Sequence, residues 1–262
     1  MALYINGVNQ AVNQFGVPVE NSGGSTLASN VDFSGLPTSD PAVASQIWND
    51  GGILKISAGA TPTTLNLNVS VNADDGYVSK TVYNNTNSGS YDALATTGGS
   101  TLYMGGFYND FELEYTFYTS FFRFRNLSVA QGQTIDSASI KFTKSGGTGS
   151  TSQDLTIAAL DSATGIGTGG IGGVAMAHTN FTTATVAFPS LMGSSNDEKT
   201  SPDIKTIVQE IVDRSDWSSG DSITLVCFAS SIPTNTTARI QARSKEHSSG
   251  SQVAELSVTY TS

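Results

Sequence analysis

The 262-residue chain predicts an all-β protein: a jelly-roll β-sandwich with one amphipathic helix, preceded by a small N-terminal helix–strand arm. Three observations support this. Only 13% of residues are charged, while Gly, Ser, Thr and Asn abound, a composition suited to short strands and tight turns. Apolar residues alternate with polar ones over many short windows, the period of a half-buried strand. One segment alone carries a convincing helical period. In Ser201–Gly220, Ile204, Ile207, Val208, Ile211 and Val212 fall at i, i+3, i+4, i+7 and i+8, an apolar stripe about 100° wide. Ser201 is expected as its N-cap and Pro202 at its first position, with Arg214 suiting the negative end of the macrodipole.

Residues 1–60 differ in character from the rest. Turn-rich sequence, including Asn21-Ser22-Gly23-Gly24-Ser25, runs to Pro37. Asp40-Pro41 then predicts a short helix with Val43 and Ile47 on one face and Trp48 beside them, ended by Gly51-Gly52 and followed by a strand Ile53–Ile56. Two helical turns and one strand cannot build a core. Val43, Ile47, Trp48 and Ile56 must therefore pack against the sandwich, a sister subunit or a larger assembly. Residues 1–60 are read as an attachment and oligomerisation arm and residues 61–262 as the sandwich.

From Thr63 the strand pattern dominates. Leu65, Leu67, Val69 and Val71 alternate with polar residues up to the turn Asp74-Asp75-Gly76. Residues 84–100 read as a long loop, and Phe111–Phe124 holds most of the aromatic mass. Further strands are expected over 138–143, 154–160, 183–188, 222–229, 238–243 and 253–259, with glycine-rich loops over 145–152 and 165–173. About eight to ten strands and one crossing helix fit a jelly roll.

Composition excludes several functions. Twelve Lys and Arg against 22 Asp and Glu, a net charge of −10, leave no basic footprint for nucleic acid or an anionic membrane. No window approaches a membrane span. The lone Cys227 lies in an apolar strand, reads as a small buried hydrophobe and can form no intrachain disulfide. Met1–Gly7 lacks the basic and apolar regions of a signal peptide, so synthesis in a cytoplasm is expected.

Candidate sites are few. Glycoside hydrolysis needs two opposed carboxylates, and Glu112 and Glu114 flank no recognisable motif. His178 and His247 sit in loops with no nucleophile arrangement around them. No catalytic residues and no cofactor are expected. Asp74-Asp75-Gly76 reads first as a plain turn, with Asp74, Asp75 and Asp161 as the lesser alternative of a structural calcium site, since hard oxygen ligands suit that ion. Arg123, between Phe122 and Phe124, needs an acidic partner on a neighbouring strand if it points inward, and could stack on aromatics and grip a partner if it points outward. Arg239, Gln241 and Arg243 alternate on one strand face, a polar surface suited to sugar or protein contact.

Several ordered blocks resemble a family of jelly-roll domains found in secreted bacterial proteins and phage structural proteins, often appended to carbohydrate-active enzymes or adhesins. They are Asn72–Val78, Phe121–Phe124, Val129–Ala138, the helix block 201–220 and the closing Leu256–Tyr260. The chain departs from that family after Glu246, where relatives often carry an Asp and a Pro before the last strand. Separately, Gly35–Gly51, with its Asp-Pro and Trp-Asn-Asp elements, resembles a segment of small virion proteins of tailed bacteriophages. The two resemblances together imply a non-enzymatic protein on the virion surface, most simply a capsid decoration (cement) protein. The implied partners are the major capsid protein or another virion protein, together with sister copies, a trimer being the expected homo-oligomer. The alternative is a tail-fibre, receptor-binding or carbohydrate-binding module that recognises host glycans.

Overall fold

The computed structural model describes residues 2–5, 8–11, 34–83, 98–109, 114–146, 154–162, 180–189, 195–229, 239–247 and 252–261. The chain divides into two compact units, Met1–Ala60 and Thr61–Ser262.

In the first unit β1 (Ala2–Ile5) pairs antiparallel with β2 (Val8–Ala11), and β3 (Ile47–Asp50) with β4 (Ile53–Ile56). The helix expected after Asp40-Pro41 does not form. Asp40 Oδ1 instead accepts hydrogen bonds from the Ala42 N–H at 2.9 Å and the Ser57 hydroxyl at 2.6 Å, holding a turn rather than capping a helix. Ala42 and Ser45 then adopt positive φ, which no right-handed helix tolerates. Gly51 and Gly52, expected to stop the helix, are the two-residue turn of a hairpin in which Asp50 pairs with Ile53. Both have positive φ, as the favoured hairpin turn requires, and the Asn49 side chain accepts a bond from the Gly52 N–H at 2.6 Å.

The second unit is all-β, as expected. Its strands are β5 (Pro62–Asn68), β6 (Asp75–Tyr83), β7 (Thr101–Asn109), β8 (Glu114–Phe124), β9 (Thr134–Gly146), β10 (Leu155–Ala159), β11 (Val186–Phe188) and β12 (Glu198–Thr200). The helix α1 (Lys205–Val212) comes next, then β13 (Ile223–Ala229), β14 (Ile240–Arg243) and β15 (Glu255–Thr261). One antiparallel sheet runs β11-β10-β13-β8-β7-β14-β9-β15-β5, with β6 also on β8 and β12 on β9. It curls so that the β10-β13-β8 and β9-β15-β5 portions face one another across a shared core. Phe122, Leu155, Ile157, Ile223 and Leu225 from the first meet Ile140, Phe142, Leu256 and Val258 from the second, with Phe122 stacked on Phe142 at 6.2 Å. Strand alternation gives β8, β10 and β13 a second buried face, where Val78, Phe121, Ala158, Leu160 and Val226 cluster. Cys227 is fully buried on the main-core face, as expected, and burial pushes its thiol up to about 12.

The apolar stripe of α1 was read correctly. Ile204, Ile207, Val208, Ile211 and Val212 are all fully buried in the main core. The cap was not. Ile204 occupies the N-cap position, and no side chain caps the helix there. Ser201 instead continues the pairing of β12 with β9: its N–H donates to the Ile140 carbonyl at 2.8 Å and its hydroxyl accepts from the Ile140 N–H at 3.0 Å. Asp203 Oδ1 accepts from both the Lys205 and Ala138 N–H groups at 3.0 Å, binding the start of the helix to β9. Arg214 lies just beyond the helix and pairs with Asp216 and Asp161.

Candidate functional site

The β3–β4 hairpin carries the first candidate surface. Pairing Ile47 with Ile56 and Asn49 with Leu54 puts Ile47, Leu54 and Ile56 on one face. The other face holds Trp48, over whose ring the Lys55 ammonium sits at 5.3 Å, and Lys55 also pairs with Asp50. Val43, Ile47, Ile53, Leu54 and Ile56 are 57, 42, 64, 40 and 60% exposed. Among the described residues only Val71 joins them as an exposed large hydrophobic side chain. Trp48 is half-buried, and its indole N–H is enclosed with no hydrogen-bond acceptor.

A second cluster lies where β6, β7 and β8 run together. Tyr77, Tyr103 and Tyr118 form a ring triad with centroids 5.1 to 5.6 Å apart. The Arg239 guanidinium sits over Tyr103 at 4.8 Å and hydrogen-bonds Tyr118, whose hydroxyl pKa is raised by burial. Tyr108 and Tyr115 pack at 4.6 Å farther along the same strand pair. The expected polar face Arg239, Gln241 and Arg243 divides accordingly. Arg239 joins the tyrosines, Gln241 is half-buried opposite Tyr103, and Arg243 is buried with its guanidinium donating to Asn196 Oδ1. Arg243 is thus no surface group, because the segment carrying Asn196 covers it. Alternation could not forecast that cover.

The three aspartates expected to share calcium go to different places. The Asp74 carboxylate is fully buried and accepts two bonds from Arg125, at 2.5 and 2.7 Å, with Arg123 at 3.9 Å. Arg123 therefore does point inward to an acidic neighbour. Asp161 pairs with Arg214, on the far side of the helix from Asp74's partners in sequence. Asp75 opens β6 rather than closing a turn, and Oδ2 accepts from the Lys245 N–H at 2.8 Å. Burial pushes its carboxyl up to about 7, with Glu246 and Asp74 adding repulsion. Glu246 was missed by sequence reasoning except as the edge of a loop. No group of three or more His, Cys, Asp or Glu among the described residues forms a metal-ligating cluster.

Of the acid–base candidates, Glu112 and His178 lie outside the described residues. Glu114 pairs across the sheet with Tyr83 and Asn109. His247 closes the turn begun by Ser244, and burial together with Arg243 lowers its pKa. A shallow groove beside α1 is lined by Thr183, Thr206, Gln209, Glu210, Asp213 and Arg214. Its Glu210 carboxylate is held by the Thr183 and Ala184 N–H groups at 2.7 Å and the Thr183 hydroxyl at 3.1 Å, which makes it a loop anchor. No helix among the described residues is long and apolar enough to cross a membrane. No protein-family model matches the chain, and no curated protein matches it at a significant level.

Proposed function

We propose that the protein is a non-enzymatic structural component of a bacteriophage virion, a decoration protein on the particle surface held there through residues 1–60. The observation that carries this reading is the uncovered hairpin face of Ile47, Leu54 and Ile56, with Val43 and Ile53 also exposed. Fully burying an Ile or Leu side chain is worth about 1.5–3 kcal/mol. Covering this face against a capsid subunit or a sister copy therefore supplies attachment energy that the hairpin alone forgoes. The phage-like segment Gly35–Gly51 overlaps this hairpin, and the acidic balance of 22 Asp and Glu against 12 Lys and Arg suits contact with protein rather than nucleic acid. A trimer is the proposed oligomer.

The test is sedimentation of the full chain and of I47K/I56K, alone and mixed with stripped virions. Association with copies or particles that the double substitution abolishes, at unchanged melting temperature, supports the proposal. A wild-type monomer that ignores particles overturns it.

A second reading is a receptor-binding or carbohydrate-binding module, favoured by the Tyr77–Tyr103–Tyr118 triad and Arg239 on the sandwich. Specific glycan-array binding lost in Y103A, with the hairpin variant still binding, would move the function there.

A further inference from the structure

Asp74 and Asp75 are neighbours in sequence, yet alternation along the chain gives their carboxylates different surroundings. Asp74 takes the nearby guanidinium groups of Arg123 and Arg125. Asp75 is 1% exposed, and among the described residues it receives a single hydrogen bond, from the Lys245 backbone to Oδ2, while Oδ1 is enclosed with no partner. That same bond ties the 244–247 turn to the start of β6 and brings the next residue, Glu246, alongside. Both Glu246 carboxylate oxygens are enclosed without a hydrogen-bond donor among the described residues, and its charge acts repulsively on Asp75. Among the charges acting on Asp75, that of Lys245 is the weakest.

Three enclosed carboxylate oxygens thus stand without a donor among the described residues, one on Asp75 and two on the residue that follows its hydrogen-bond partner Lys245. Anionic oxygens in such a place need a donor, a proton or a cation. Among the described residues the one donor is the Lys245 N–H, already used by Oδ2. The open oxygens are all hard ligands, with no sulfur or imidazole beside them, the chemistry selected by calcium rather than by zinc or copper.

We propose that Asp75 Oδ1 and the two Glu246 carboxylate oxygens form a binding site for a hard divalent cation of the calcium type. The ion would bridge the first residue of β6 to the turn after β14, two segments joined otherwise at this point by the Lys245–Asp75 bond. Water and backbone carbonyls would complete its coordination, as calcium's flexible shell allows. Two carboxylates make a weak site, in the micromolar to millimolar range typical of sensor and extracellular modules.

The test uses the full chain at about pH 8, where Asp75 is ionised. Thermal unfolding is followed in EDTA, in roughly 5 mM CaCl2 and in roughly 5 mM MgCl2, with calorimetric titration of CaCl2 alongside. The expected result is a calcium-dependent rise of several degrees in melting temperature and a measurable titration in the wild type. D75N and E246Q should each abolish the rise and weaken calcium binding about tenfold or more, while D161N behaves as wild type. If D75N fails to fold, E246Q and the wild-type titration still decide the matter. No calcium response in the wild type, or a response kept by E246Q and D75N alike, overturns the proposal. So does a melting temperature that falls with rising pH and ignores calcium, which would make the missing partner a proton.

Discussion

The β3–β4 hairpin and the β13–β8 pair are both antiparallel, both rich in large apolar residues, and opposite in outcome. In β13, Ile223, Leu225 and Cys227 enter the main core while Val226 enters the second cluster, so both faces of the strand are covered. In the hairpin the face of Ile47, Leu54 and Ile56 is left exposed among the described residues, and Ile53 and Ile56 remain more than half exposed. Residue type does not distinguish the two regions. What separates them is the number of neighbouring layers: a strand inside a curled sheet has two, and a lone two-stranded ribbon brings none of its own. An apolar residue in the sandwich is therefore a stability determinant, and the same residue in the hairpin is available for association.

The largest expected effects belong to the sandwich. Asp74→Ala leaves the buried Arg123 without its carboxylate and the part-exposed Arg125 without its two bonds, and should cost about 3 kcal/mol, read from urea unfolding. Phe122→Ala, which removes a ring stacked on Phe142, should cost a similar amount, about 3–5 kcal/mol. If either variant unfolds like the wild type, the covered region is less dependent on packing than the comparison holds.

The pH dependence comes next. In the unfolded chain Asp75 titrates at its ordinary value, 3.8, whereas burial raises it to about 7 in the fold. Between those values the folded protein holds a proton that the unfolded chain has released. Stability due to this group is therefore complete below about pH 4, declines as pH rises towards 7, and is level above that. The groups acting on Asp75 are Lys245, Glu246 and Asp74. Asp75→Asn should remove this slope, so the difference in unfolding free energy between variant and wild type should change across that window in favour of the variant. A constant difference from pH 4 to about 8 would contradict it.

Smaller still is Asp203→Ala, which frees the Lys205 and Ala138 N–H groups and should cost about 1 kcal/mol by denaturant unfolding. Smallest is Ile56→Lys in the hairpin, expected within about 0.5 kcal/mol of wild type in unfolding while reducing association in sedimentation. A large loss of stability there would mean that the hairpin is covered within a single chain, and the contrast between the two regions would fail.

Much of the sandwich was legible because its signals are periodic. The stripe from Ile204 to Val212 names a helix face, and the alternation in Leu65 and Leu67 names a strand face, before any partner is known. The cost of burying a charge said that an inward Arg123 would be paired, but not which way it points; the fold decided that. The failures came where one local signal serves two structures. Asp40-Pro41 opens a helix or an Asx-type turn, and Gly51-Gly52 ends a helix or turns a hairpin. Helical spacing around Val43 and Ile47 was too short to choose between them, since two turns have little stability of their own. Ser201 likewise has a capping hydroxyl that β9 claimed first. For the candidate cation site no sequence signal exists, because nothing local connects residue 75 to residue 246.

Read alone, the amino-acid order determined which residues are apolar, with what period, and hence that strands and one helix would form and bury particular faces. Those properties depend on neighbours a few positions away, and the backbone geometry of each element is short-ranged. Which carboxylate meets a guanidinium, and which meets a backbone N–H with a second carboxylate next to it in the chain, were decided by the curling of the sheet. Coulombic pairing and burial act through space, and only the folded chain brings Asp74 to Arg125, Asp75 to Lys245 and its neighbour Glu246, and Ile56 to Ile47 on a hairpin face left exposed.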